Sequence, residues 1–229
     1  MPRLKMFCGL PRRKDVSVQY FHDHWRHPHG TLAKNISTLR TYVQSHQIPC
    51  ALLGPEQALY DGIPEVSFES EADGLGLGTH PTYLRDLIPD EPKFIDMERI
   101  FFLFTLEEVV QSGPDPRVEL ANGDQYWRED QRATTIKLIQ LIRAADQAEF
   151  GAEDELDLGR RIGAFRHVRS RQYRPLHPDG AEFIGVRELW WPTLSAFETG
   201  VAKDKQAFDA FRRRAALSVT LLAVAERFI

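Results

Sequence analysis

Short apolar runs separated by amphipathic stretches recur along this chain, and they recur twice in the same order. The first run is Leu4-Lys5-Met6-Phe7-Cys8-Gly9-Leu10. A polar segment with two N-cap candidates, Asp15 and Ser17, follows, and the spacing predicts a helix from there to about residue 36. Pro28 lies inside that helix, removes its backbone bond to His24 and predicts a kink. Alternation predicts strands over 39–48 and 60–69. A second helix is predicted over 71–87, weakened by Gly74, Gly76 and Gly78, and a strand over 100–110. Residues 111–131, rich in Gly, Pro, Asp and Asn, predict a linker. The order then repeats: an apolar run at 136–142, a short helix over 153–164, a strand carrying His167, Arg169, Arg171 and Tyr173, a strand over 183–191, a long helix over 194–215 and a strand over 218–229.

The halves also share a local pattern. Tyr60-Asp61-Gly62-Ile63-Pro64-Glu65-Val66-Ser67-Phe68 matches Phe183-Ile184-Gly185-Val186-Arg187-Glu188-Leu189-Trp190-Trp191. Both read aromatic-x-Gly-aliphatic-x-Glu, then an apolar residue, then an aromatic. A repeat of this length means two structural copies rather than a solenoid. The order strand-helix-strand-strand-helix-strand is the split β-α-β, ferredoxin-like unit. The predicted fold class is therefore α+β: two tandem ferredoxin-like β-α-β-β-α-β repeats, 1–110 and 132–229, closing an intramolecular α/β barrel with helices outside.

Composition narrows the function. The chain has 229 residues, 42% hydrophobic and 27% charged, with a net charge of −4. That fits a soluble globular protein and lacks a nucleic-acid footprint. No apolar run approaches the roughly 20 residues of a membrane helix, and the N-terminus lacks an apolar signal region. Cys8 and Cys50 read as reduced small hydrophobes of a cytoplasmic protein.

Strand alternation sorts candidate chemistry by face. Leu39, Thr41, Val43 and Ser45 are expected toward the helices, and Arg40, Tyr42, Gln44 and His46 toward the barrel interior. Asp61, Ile63, Glu65 and Ser67 are expected inward. So are His167, Arg169, Arg171 and Tyr173, with Val186, Glu188 and Trp190 opposite. Such a polar lining fits a ligand-holding cavity. The plainer alternative is that Glu65 or Glu188 pairs with Arg169 or Arg171 and locks the halves together. The segment Phe21-His22-Asp23-His24-Trp25-Arg26-His27-Pro28-His29 holds four of the eight histidines. No carboxylate or cysteine completes a ligand set there, so no metal is expected. Trp25 and Phe21 are expected on the sheet, His24 and His29 at the cavity rim, and His22 and His27 in solvent.

Taken together, His24-Trp25-x-x-x-His29, Tyr42-Val43-Gln44-x-His46, Tyr60-Asp61-Gly62-x-x-Glu65-x-x-Phe68-x-Ser70 and Phe94-Ile95-Asp96 resemble the EthD family of the dimeric α/β-barrel superfamily. The resemblance covers nearly all of residues 4–106. The second half keeps only the Gly185/Glu188 segment, has no counterpart of His24-Trp25 or His29, and carries Arg171 where His46 would be. The resemblance thus implies one site-bearing half and one degenerate half. It also implies activities ranging from dehydratase or cyclase roles in aromatic polyketide pathways to cofactor-free monooxygenation, lactone isomerisation, haem binding and stress response.

Together, the residues and the resemblance suggest a cofactor-independent lyase or cyclase, the resemblance implying a small aromatic or polyketide-like substrate. His46 would be a general base titrating near neutrality, Asp61 or Glu65 would orient it, and Tyr42 would stabilise an enolate. Substrate contacts are expected from His24, Trp25, His29, Gln44, Arg169, Arg171, Tyr173 and Trp190, with the arginines binding a carboxylate or phenolate. Non-catalytic binding, and haem binding or cofactor-free oxygenation, are the alternatives. No cofactor, nucleic acid or membrane partner is expected, and exposed helix faces leave a homodimer open.

Overall fold

The computed structural model describes residues 3–113 and 132–229. Eight strands form one closed antiparallel barrel: β1 (Arg3–Gly9), β2 (Leu39–Ile48), β3 (Gly62–Phe68), β4 (Phe101–Ser112), β5 (Thr134–Ile142), β6 (Arg166–Gln172), β7 (Gly185–Trp191) and β8 (Val219–Arg227). Their order around the barrel is β1-β3-β2-β8-β5-β7-β6-β4. The first four strands thus stand as β4-β1-β3-β2 and the last four as β8-β5-β7-β6, the same order position by position. The two sets join at β2–β8 and β4–β6, so no strand edge is left unpaired. Of the expected linker, Gln111 and Ser112 belong to β4, and 114–131 lie outside the described residues. Among the described residues, no helix is long and apolar enough to cross a membrane.

Helices cover the outside. Ser17 caps α1 (Val18–His24), its hydroxyl accepting from the Tyr20 N–H. Pro28 has no N–H to return to His24. The chain absorbs this with one wider π-helical turn, Trp25–His29, and resumes as α2 (Gly30–Ala33). The helix expected over 71–87 is broken into α3 (Glu71–Gly76), a 3-10 turn (Leu77–Thr79) and a π-helical turn (Tyr83–Leu87). In the second half, α4 (Glu155–Arg161) precedes β6. The single helix expected over 194–215 is two, α5 (Leu194–Lys203) and α6 (Lys205–Arg213). Asp204 leaves helical geometry between them and caps α6 by accepting from the Ala207 N–H.

The barrel interior is packed, which corrects the expected ligand cavity there. Phe7, Ile63, Leu103, Ile139, Leu141 and Val186 fill part of it. The rest holds a buried ion quartet. Lys5 Nζ lies 2.7 Å from Glu65 and 3.1 Å from Glu188. Lys137 Nζ lies 2.6 Å and 2.9 Å from the same two glutamates and 3.8 Å from the centre of the Trp190 ring. Glu107 joins at the edge, 3.4 Å from Lys5 Nζ, and burial, then the neighbouring Glu65, push the Glu188 carboxyl up. Burial opposes the ionised form of Glu65, but Lys137 and Lys5 hold its carboxyl well below the usual range. The opening beside the quartet measures about 10 Å³, room for roughly one water. Lysines from β1 and β5, rather than Arg169 or Arg171, therefore tie the halves together.

The faces of β2 are reversed from expectation, and the cause is local. Leu39 pairs with Phe68 and Thr41 with Ser67, so Arg40 is an extra residue in a β-bulge. Leu39 faces the helices, as its side chain requires. Beyond the bulge the parity flips. Tyr42, Gln44 and His46 turn out toward the helices, while Ser45 turns in and donates to Glu65 at 2.7 Å. In β3 the expected inward residues Ile63 and Glu65 do face the interior. On β6, His167, Arg169 and Arg171 also face outward. Both faces of that strand are polar, so polarity could not choose between them.

Candidate functional site

The outward turn of Tyr42 places it in a pocket between the sheet and the helical layer of the first half. The pocket measures about 70 Å³, roughly five times what one water needs. Met6, Cys8, Tyr42, Pro64 and Val66 line the sheet side; Trp25, His29, Leu77, Tyr83, Leu87 and Glu91 are among those lining the helical side. Among the described residues, neither a Lys nor an Arg lines it.

Gly62 shapes one wall. A Cβ there would lie 2.3 Å from the Trp25 ring, so only glycine lets the indole lie flat on the sheet. The repeated glycine does the same elsewhere. A Cβ at Gly185 would meet Phe150 at 2.5 Å and the Ser170 carbonyl oxygen at 2.6 Å. The shared aromatic-x-Gly motif is thus a platform for a ring from the helical layer.

Three polar groups face this pocket. The first is His29, whose Nδ1 lies 3.1 Å from Asp90. Asp90 is 3% exposed and also binds His24 Nε2 at 3.0 Å and Lys93 Nζ at 3.0 Å. Burial pushes its carboxyl up, but hydrogen bonds from His29, Lys93 and His24 outweigh this and hold it well below the usual range. An ionised Asp90 makes Nδ1 of His29 the protonated nitrogen. Nε2 makes no protein hydrogen bond among the described residues.

The second is Tyr42. Its oxygen accepts from Gln44 Nε2 at 2.7 Å, and the same amide donates to the Trp25 carbonyl at 2.8 Å. Gln44 Oε1 accepts from His46 Nε2 at 3.1 Å, and His46 Nδ1 lies 2.9 Å from His22 Nδ1. Burial, then the charge of Arg26 and the neighbouring His22, push His46 down to about 2, so it is neutral near pH 7. The third is Glu91, 8% exposed, which accepts from the Tyr83 hydroxyl at 2.9 Å. Burial pushes its carboxyl up.

The expected site residues divide accordingly. Trp25, His29 and Tyr42 share the pocket, with Gln44 and His46 directly behind Tyr42 and His24 behind Asp90. His46 is neutral and hydrogen-bonded through both ring nitrogens, which corrects its expected titration near neutrality. Asp61 binds Arg12 through its backbone N–H and guanidinium, at 2.9 and 3.3 Å. Glu65 and Trp190 are inside the barrel. Arg169 pairs with Glu108, Arg171 stacks on Phe150, and the Tyr173 hydroxyl donates to Glu71. His27 is exposed, as expected, whereas His22 meets His46. Sequence reasoning missed Asp90, Glu91 and Tyr83. The signal available was the adjacent carboxylate pair Asp90-Glu91 inside an apolar segment, 61 residues from His29.

The corresponding space in the second half is filled. Leu158, Ile162, Trp191, Phe197, Phe208 and Phe211 pack there. Beside them, Glu155 binds His167 at 2.7 Å and Arg187 at 2.5 Å.

Comparison with known proteins places this geometry. Residues 13–98 match the EthD domain, a stretch that contains Trp25, His29, Tyr42, Tyr83, Asp90 and Glu91. No curated protein matches the chain. Among solved structures, an anthrone oxidase-like protein superposes with a TM-score of 0.59 at 13% identity, covering 100% of this chain and 94% of that one. A protein described as a "putative monooxygenase" from Lactobacillus acidophilus NCFM gives 0.50 at 10% identity, covering 100% and 95%. Another so described, from Fusobacterium nucleatum subsp. nucleatum ATCC 25586, gives 0.51 at 8% identity, covering 100% and 93%. At these identities the likeness is one of fold.

Proposed function

We propose that this chain, whose residues 13–98 match the EthD domain and whose described strands close a barrel, binds a small aromatic carbon acid in the outer pocket and removes a proton from it. The observation that carries this reading is the His29–Asp90 pair at the pocket wall. Asp90 fixes the imidazole tautomer, and His29 Nε2 takes the proton from a carbon beside a carbonyl. The resulting enolate oxygen is stabilised by the Tyr42 hydroxyl. The base is thus His29, in place of His46. Elimination of water, ring closure and cofactor-free oxygenation all begin from that carbanion, and two structural relatives carry the description "putative monooxygenase".

We read the two halves, ending at residue 110 and starting at 132, as copies of one ferredoxin-like unit, supported by the shared strand order and the shared glycine platform. The first carries the site; the second completes the barrel.

The test is exchange of the benzylic protons of 2-indanone in deuterated water, followed by NMR. The protein should accelerate exchange, and His29→Ala should cut the acceleration at least about a hundredfold, with Asp90→Asn intermediate. An unchanged rate in folded His29→Ala would refute the assignment.

A further inference from the structure

Taking the pocket as the binding site proposed above, we infer that it selects an uncharged molecule presenting a carbonyl to Tyr42, and that Gln44 and His46 are positioning residues that fix Tyr42 as the donor. The direction of the hydrogen-bond chain decides this. Gln44 Nε2 is the amide's only donor atom, and it serves both the Trp25 carbonyl and the Tyr42 oxygen. Its Oε1 takes the proton on His46 Nε2. That leaves His46 Nδ1 as an acceptor, so His22 Nδ1 supplies the proton of the 2.9 Å contact between them. Each link points the same way, from His22 to His46 to Gln44 to Tyr42.

The phenol oxygen is occupied from behind. Burial holds the Tyr42 hydroxyl well above its ordinary range, so the phenol keeps its proton, and the buried Trp25 Nε1 has no hydrogen-bond partner among the described residues. The Tyr42 proton is therefore the group left to face the pocket, and its counterpart is an acceptor. A carboxylate would also accept, but it would enter an apolar pocket without a lining Lys or Arg and with Glu91 on the wall. An unpaired buried charge is strongly disfavoured.

Three probes share one bicyclic frame and separate the terms: 2-indanone, indane and indane-2-carboxylate, titrated at pH 7 by ligand-observed NMR. Tyr42→Phe should weaken 2-indanone about fivefold to tenfold and leave indane unchanged. The carboxylate should bind at least about tenfold more weakly than the ketone. The carbonyl stretch of bound 2-indanone should be lowered in the wild type and return toward its apolar-solvent value in Tyr42→Phe. Gln44→Met keeps the phenol but frees its rotation, and should recover part of that return. Equal losses for ketone and hydrocarbon in Tyr42→Phe, a carboxylate as tight as the ketone, or an unmoved band in Gln44→Met would overturn the inference and leave the His29 reading standing. Binding of none of the three probes would overturn both.

Discussion

His46 gives a sharp test because its burial makes the chain's stability depend on pH with a defined sign. The imidazole is 3% exposed and is held neutral beside Arg26 and His22, pushed down to about 2 from an ordinary 6.5. The unfolded chain takes up a proton at this site below pH 6.5 and the folded chain does not until near pH 2. The contribution is thus fully present above 6.5 and is lost as pH falls. Between pH 7 and pH 5 the unfolded state gains nearly a whole proton over about 1.5 units, at about 1.4 kcal/mol each, or about 2 kcal/mol. This figure is insensitive to the folded value as long as that lies well below 5. His46→Gln keeps a donor for Gln44 and does not titrate. Urea unfolding of both proteins at the two pH values isolates the term, because other titrating groups cancel. The wild type should lose about 2 kcal/mol more than the variant, roughly 1 M in midpoint. Parallel losses, or an NMR titration of His46 near 6.5, would show that the ring is reached by solvent and that the chain to Tyr42 is not formed.

Lys137→Met leaves Glu65 and Glu188 buried with Lys5 and should cost about 3–5 kcal/mol in chemical denaturation. Adding Glu188→Gln should restore much of it, and simple additivity would contradict the quartet. Gly62→Ala should cost about 1–3 kcal/mol by thermal melting, because the Trp25 ring must move, and should weaken 2-indanone binding as well. Arg169→Ala with Arg171→Ala should leave 2-indanone affinity within about twofold, since both guanidinium groups lie in the second half, off the pocket. A larger loss would return them to the site.

Several parts of this protein could be read directly from its residue order. Apolar runs and alternating stretches together located the eight described strands, because a strand buried on both faces is continuously apolar and a half-buried one alternates. The repeated Gly62 and Gly185 marked equivalent places, because each must lie under an aromatic ring. On the histidine-rich helix, Trp25 and Phe21 pack on the sheet as expected. Its role was harder to see. His24 and His29 acquire meaning from Asp90, which reaches them only through the fold. The main error turned on one residue. Leu39 correctly marked the helix face, but nothing local announced that Arg40 would bulge, and a one-residue bulge exchanges the faces of every residue after it. That moved Tyr42, Gln44 and His46 out of the barrel and put Val43 and Ser45 in.

The sequence by itself determined the order of strands and helices and offered a list of chemically capable side chains, because these follow from local spacing and residue type. Tertiary structure alone decided which face of the sheet holds the pocket. The barrel interior became an ion-paired core because Lys5 and Lys137, distant in sequence, meet Glu65 and Glu188 there. The space outside the sheet stayed open in the half where Gly62, Trp25 and Asp90 support a wall, and was filled by aromatic side chains in the other.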